Sequence, residues 1–252
     1  MGAKQKGIVK IHKGSLGDNT FSNTKYGFTV KPKKRESTSR ANAANWAGSR
    51  DNAKEFGESS SCARLIRLSV STIRNRTTDS TAMLRLTSLM SKIIMLDHNG
   101  LKGSRKPTNV NLKLLAGFSM NSAVSLRTVF NARFRINADR SAGLYTLNIP
   151  AFVPSDCIVM PKTATHFNIV STVSAIDFSS KRKENIYTES ARIELNNTPT
   201  ADTALEHQLK PATVFPVFVF LGIRFWSNDG SEFFEVSNRK LDPIDIVDVI
   251  VE

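Results

Sequence analysis

The amino-acid sequence predicts an α+β fold. An N-terminal β-hairpin and an antiparallel helical hairpin are expected to pack with a C-terminal antiparallel β-sandwich. Three observations carry this expectation. Apolar residues over 49–73 recur in steps of three and four. A second and more apolar stretch over 81–96 does the same. From about residue 110 the pattern changes to short alternating runs separated by turn residues. The expected divisions are a basic hairpin and arm (1–48), a two-helix hairpin (49–108) and the sandwich (109–252).

Residues 7–11 and 26–30 read as two strands of a hairpin, joined through a glycine-containing turn region that holds Gly14 and Gly17. Lysines punctuate both strands, which suits an edge position. Lys31-Pro32-Lys33-Lys34-Arg35 follows and reads either as an exposed, phosphate-binding arm or as a solubilising loop. Residues 36–48 are rich in Ser, Asn and Ala and read as a linker.

The helix over 49–73 has Ser49 as its expected N-cap and Asp51 in its first turn, where negative charge suits the helix dipole. Phe56, Ser59, Ala63, Ile66, Val70 and Ile73 form a seam with coiled-coil-like spacing. Such a seam is either a core face or a contact between subunits. On the second reading Phe56, Ile66, Val70 and Ile73 are the oligomer contacts. Arg64, Arg67 and Arg74 lie on a neighbouring stripe, and Arg76 follows it. With Lys31, Lys33, Lys34 and Arg35 these are the candidate polyanion-binding residues.

Residues 75–80 break this helix and cap the next, which runs over 81–96 with Arg85 and Lys92 as its charged residues and is expected to be buried on more than one side. His98-Asn99-Gly100 ends it, and residues 101–108 form a basic turn. Residues 111–114 and 132–136 alternate as strands do. Residues 139–143 read as a turn into a strand over 144–149. Further strands are expected over 165–173, 174–178, 185–195, 214–226, 232–236 and 244–251. The run 215–225 has almost no polar face and is expected to be central. Ser227-Asn228-Asp229-Gly230 is a hairpin turn.

The chain has 252 residues and a formal net charge of +13. Residues 1–140 hold 26 Lys and Arg against 8 Asp and Glu, a net of +18; residues 141–252 hold 9 against 14, a net of −5. A basic half attracts nucleic acid, anionic surfaces or the acidic half of a sister molecule. Cys62 and Cys157 carry no motif, and His12, His98, His166 and His207 show no metal-ligand spacing, so neither a metal nor a cofactor is expected. The N-terminus lacks the apolar region of a secretory signal, and the longest apolar run, 214–223, is too short for a membrane span. Cytoplasmic synthesis is expected. A phosphate-binding loop and a nucleophile elbow are absent from the sequence. A Cys157–His166 thiol–imidazole pair has no basic local setting to support it, and His166 reads as a hydrogen-bonded structural residue. Asp242, Asp245 and Asp248 read as an acidic rim.

Several segments, taken in order, resemble a large family of uncharacterised proteins encoded by Bacteroidota. They are Ala3-Lys4-Gln5-Lys6-Gly7, Arg50-Asp51-Asn52-Ala53-Lys54-Glu55-Phe56-Gly57, Leu65-Ile66-Arg67, Arg85-Leu86, Leu115-Ala116-Gly117-Phe118-Ser119-Met120-Asn121, Ala164-Thr165-His166-Phe167 and Leu221-Gly222-Ile223-Arg224-Phe225. The resemblance implies a bacterial origin and one shared architecture, and lends no catalytic residues. The organisation, a basic arm before a β-sandwich, is also similar to that of small viral capsid proteins, an analogy that does not carry function. The expectation is a non-enzymatic subunit that assembles with itself into a filament, tube or shell. The alternative is a sequence-nonspecific nucleic-acid-binding protein.

Overall fold

The computed structural model describes residues 3–4, 13–33, 44–74, 79, 81–236 and 242–251. The chain divides into two compact units, Met1–Arg50 and Asp51–Glu252.

The first unit holds an antiparallel sheet of β1 (Ala3–Lys4), β2 (Gly14–Leu16), β3 (Asn19–Thr24) and β4 (Gly27–Pro32), in the order β1-β4-β3-β2. The expected strand over 26–30 is β4; the one over 7–11 lies outside the described residues. The span expected as a turn region contains β2 and β3 instead. Their strands are polar and bury no residue fully, so apolar alternation could not mark them. Pairing is set by tight turns, with Gly17 at φ 56° and Gly27 at φ 110°, and by a Ser22–Thr29 hydroxyl contact of 2.8 Å across β3 and β4.

Helix α1 spans Ala47–Ser69 after a 3-10 turn over Ala44–Trp46, so Ser49 lies inside the helix and is not its N-cap. The helix breaks at Val70, and a short α2 (Ser71–Arg74) follows. Asp79 then starts α3 (Ala82–Met95): its Oδ1 accepts from the Thr81 N–H and hydroxyl, both at 2.7 Å, and its Oδ2 from Arg85 Nη2 at 2.8 Å and Ser122 N at 2.9 Å. Burial works against the charge of this carboxylate. The bonds from Arg85, Thr81 and Ser122 outweigh it and hold the pKa well below the usual range.

Residues 111–114, expected as a strand, fall in α4 (Asn109–Leu112) and a 3-10 turn (Lys113–Leu115). Leu112 and Leu115 point inward at a spacing of three while Leu114 is exposed, which is helical rather than strand periodicity. Then come α5 (Leu126–Val129), β5 (Arg135–Asp139), β6 (Leu144–Ile149), α6 (Pro154–Cys157), β7 (His166–Asp177), β8 (Arg182–Glu189), β9 (Ile193–Glu194), β10 (Thr203–Gln208), β11 (Val217–Asn228), β12 (Phe233–Glu235) and β13 (Ile244–Ile250). The expected strands over 165–173 and 174–178 are one continuous β7. Strand β10 had no sequence expectation, because only Leu205 and His207 on it point inward.

The second unit is layered. A six-stranded antiparallel sheet has the order β12-β11-β7-β8, with β13 beside β11 and β9 beside β7; a three-stranded sheet has the order β10-β6-β5. Strand β11 is central, as its apolar run requires. Phe218 and Phe220 turn to one side and join Ile66, Val70 and Ile73 of the first helical segment and Leu86, Met90 and Ile93 of α3. Val219, Leu221, Ile223 and Phe225 turn to the other side and meet Tyr145, Leu147 and Ile149 of β6 and Leu205 of β10. Period-two alternation on a strand with both faces apolar thus places helices on one face and the small sheet on the other. The helices and the sheets share this core, so the boundary expected at residue 108 is not a domain boundary.

Strand β13 has to follow the same alternation beside β11 and does so through a bulge. Val219 pairs with Asp248 and Phe220 with Ile246, leaving Val247 as an extra residue. Ile244, Ile246 and Val249 consequently all reach the helix-side core, although the last differs in parity. Gly143, at φ 73°, closes the β5–β6 turn, and a Cβ there would come within 2.4 Å of the Leu209 carbonyl oxygen.

Two polar side chains are sealed between the sheets. His207 and Tyr145 are cross-strand neighbours on β10 and β6, both about fully buried. His207 Nδ1 lies 3.3 Å from the Tyr145 carbonyl oxygen, while His207 Nε2 and Tyr145 Oη meet no partner among the described residues. Burial pushes the His207 pKa below its ordinary value.

Two outcomes are expected. Phe220→Ala should cost about 3–5 kcal/mol in chemical denaturation, since it opens a cavity facing the helices. His207 is held neutral in the fold but protonates when the chain unfolds. Its contribution is therefore intact above the ordinary histidine value and lost as pH falls through the lower folded value. Wild-type stability should drop as the pH falls below about 6.5. His207→Gln should flatten that segment of the stability curve, and an unchanged slope would show that His207 is not its source.

Candidate interaction surface

The reactive residue types are dispersed. Cys62 is buried on α1, and burial, with Glu58 nearby, pushes its thiol up to about 12, far from nucleophilic. Cys157 ends α6. His166 begins β7, where its Nδ1 lies 2.9 Å from the Thr165 hydroxyl and its ring meets Phe233 edge-on, with centroids 4.9 Å apart. This is the structural histidine expected. Among the described residues no group of His, Cys, Asp and Glu could hold a metal ion.

The predicted polyanion-binding residues do not form one patch. Lys31 and Lys33 are exposed in the first unit. Lys34, Arg35 and Arg76 lie outside the described residues, and Arg74 closes α2. Arg64 is exposed and Arg67 half-buried, one turn apart on α1, with no ion pair among the described residues. The basic turn over 101–108 is largely neutralised within the chain: Lys106 Nζ lies 2.7 Å from Glu58 Oε1, and Arg105 Nε lies 3.8 Å from Glu55 Oε1. Glu55, whose burial no sequence pattern marks, also accepts from Gly103 N at 2.8 Å and so fastens this loop to α1.

The predicted oligomer contacts need correction. Ile66, Val70 and Ile73 are 0%, 0% and 3% exposed, because the sheet supplies the apolar surface that the seam requires. They are unavailable to a second subunit. Phe56 is 62% exposed and stands outside the buried stripe, with Glu55 on the inward side. Asp242 and Asp245 are buried rather than set on an acidic rim. Asp245 Oδ2 accepts from Leu126 N at 2.9 Å at the start of α5.

Two of the sheet-terminal strands carry unburied aromatic surface beside an edge that is unpaired among the described residues. The first is β5, which pairs with β6 alone. Arg135 pairs with Asn148; beyond that pair the two segments part over residues 132–134 and rejoin where Asn131 N donates to the Cys157 carbonyl oxygen at 2.8 Å. The divergence opens a groove of about 930 Å³ lined by Arg133 and Arg135, by the carboxamides of Asn131, Asn137 and Asn148, and by Phe134 and Phe152. No carboxylate lines it. Ala132, Arg133 and Phe134 make no backbone–backbone hydrogen bond among the described residues. The alternation over 132–136 was visible in the sequence. The divergence that turns it into a groove depends on where 150–157 goes and was not.

The second edge is β12, which pairs with β11 through Trp226–Glu235, Ser227–Phe234 and Asn228–Phe233. Phe233 lies over the guanidinium of Arg192, whose Cζ sits 4.7 Å from its ring centroid and 4.2 Å from that of Trp226. Trp226 Nε1 donates to Asn168 Oδ1 at 2.8 Å, and Asn168 Nδ2 donates to Glu189 Oε2 at 3.0 Å. This ladder fixes the inner side of the edge. Phe234 points the other way and is 52% exposed. Glu232 beside it is exposed too.

No protein-family model matches the chain, and no curated protein sequence matches it either.

Proposed function

We propose that this chain is a non-enzymatic structural subunit that assembles with copies of itself into a filament, tube or shell. The observation that carries the reading is that two sheet-terminal strands, β5 and β12, unpaired on one side among the described residues, each carry unburied aromatic surface. Unpaired edges bring strands together, and proteins that stay monomeric usually blunt or cover them. The exposed Phe56, Leu84 and Met95 on the helices add apolar surface. The net charges of +18 and −5 in the two parts of the chain favour association of unlike surfaces. The likeness to proteins of Bacteroidota supports a bacterial origin. Among the described residues no helix is long and apolar enough to cross a membrane.

Arg64 and Arg67 favour a second reading, sequence-nonspecific nucleic-acid binding, since they stand on α1 without an ion pair among the described residues. The two readings join if the assembly encloses a polyanion.

Light scattering behind a sizing column, at low salt and high protein concentration, should give a mass several-fold above the monomer. A monomer at every concentration would overturn the assembly reading. Nucleic acid carried by the particle should be released steeply by salt, and Arg64→Glu with Arg67→Glu should lower the 260/280 nm absorbance ratio. An unchanged ratio in that double variant would remove α1 from the polyanion-binding surface.

A further inference from the structure

We propose that the β12 edge of one copy adds as an extra strand to the groove beside β5 of the next copy, head to tail. The proposal rests on the self-assembly reading and names the contact that produces it. The groove offers what an added strand needs. Ala132, Arg133 and Phe134 make no backbone–backbone hydrogen bond among the described residues, and Asn131, Asn137 and Asn148 line the groove with them. Strand addition takes affinity from the main chain and specificity from alternate side chains.

Those side chains choose the occupant. The groove is cationic, with Arg133 and Arg135 and no carboxylate, and Phe134 and Phe152 give it an aromatic wall. The β12 edge is its complement, with Phe234 exposed on one face and Glu232 exposed at its start. Phe233 on the opposite face is already held by Arg192 and His166. Phe234 therefore enters the groove against Phe134 and Phe152, and Glu232 pairs with Arg133 or Arg135. The two edges belong to different sheets. The contact is heterologous and leaves one open edge at each end, so it propagates unless rotation closes a ring.

Two variants of the full chain test this. Phe234→Ser with Glu232→Gln disables the edge and leaves the groove; Arg133→Glu with Arg135→Glu disables the groove and leaves the edge. All four side chains lie at the surface or line the groove, and circular dichroism will show that each variant keeps the fold. Each variant alone should associate about 30-fold more weakly than wild type by light scattering, the loss expected for a central aromatic contact. Mixed, each retains one intact half of a single contact. The mixture should give a 1:1 dimer that stops there, held by the intact edge of one variant in the intact groove of the other, and loosened by high salt because the Glu232–arginine pair is kept. If both variants assemble as wild type does, the contact is elsewhere and the proposal fails while the assembly reading stands. If both stay weak and the mixture forms no dimer, the edge and the groove do not bind each other. If the groove variant assembles normally but loses bound nucleic acid, the groove takes a polyanion instead. A monomeric wild type would end both.

Discussion

The Asp51–Glu252 unit depends on burying both faces of β11. From Val217 to Ile223 every residue of this strand is buried, so neither face can be left to water. Each fully buried aliphatic or aromatic side chain contributes about 1.5–3 kcal/mol relative to exposure. That gain is available only if a layer lies on each side. The helices supply one layer and the three-stranded sheet the other. The apolar seam of α1 is thus committed to the same molecule's sheet, which is why it cannot also be the surface that meets a neighbour.

Polar groups inside these layers are placed where a partner exists. Ser69 on α1 donates to the Leu65 carbonyl of its own helix and accepts from Ser174 of β7 at 2.8 Å, joining helix to sheet where both serines are fully buried. Glu55 and Asp245 are buried carboxylates that accept from backbone N–H groups of irregular segments, Gly103 and Leu126. Glu55 fixes a loop whose Leu101 is exposed, and Asp245 holds the start of α5, whose Leu126 and Val129 are buried in the core. Burial raises the pKa of Asp245, with the Ser119 hydroxyl, the Leu126 N–H and nearby arginines acting against it. His207 Nε2 and Tyr145 Oη, like Asp245 Oδ1 and Thr172 Oγ1, are buried and meet no partner among the described residues.

Much of this architecture was legible because it follows local rules. The central strand announced itself as an unbroken apolar run, the β11–β12 hairpin by Asn228-Asp229-Gly230, and α3 by its wide apolar stripe. The parts that were not legible lack a local signal. Strands β2 and β3 bury nothing, β10 turns only Leu205 and His207 inward, and residues 109–115 fit two periodicities over a span too short to choose between them. The surface was harder to read than the core. Phe56 looked like the first residue of a seam, but the helix phase is fixed by the later Ile66 and Val70, and that phase leaves Phe56 outside. The three aspartates near the C-terminus looked like surface charge because the chain pairing that buries two of them is distant in sequence. The β5 groove exists because two segments part company after Arg135, a fact about tertiary path rather than composition.

The bulge at Val247 has a consequence for how this chain can change over time. A strand in a two-sided sheet carries a parity: odd and even positions have different neighbours, and adding or removing one residue exchanges them. The bulge absorbs one such unit, so Ile244 and Ile246 before it and Val249 after it all reach the same core. Losing Val247 would make Phe220–Ile246, Val219–Asp248 and Phe218–Val249 consecutive pairs of a regular ladder, and Val249 would keep its place in the core. Relatives of this chain should therefore tolerate loss of a residue at the bulge, whereas losing one between Ile244 and Ile246 would turn one of those two away from the core.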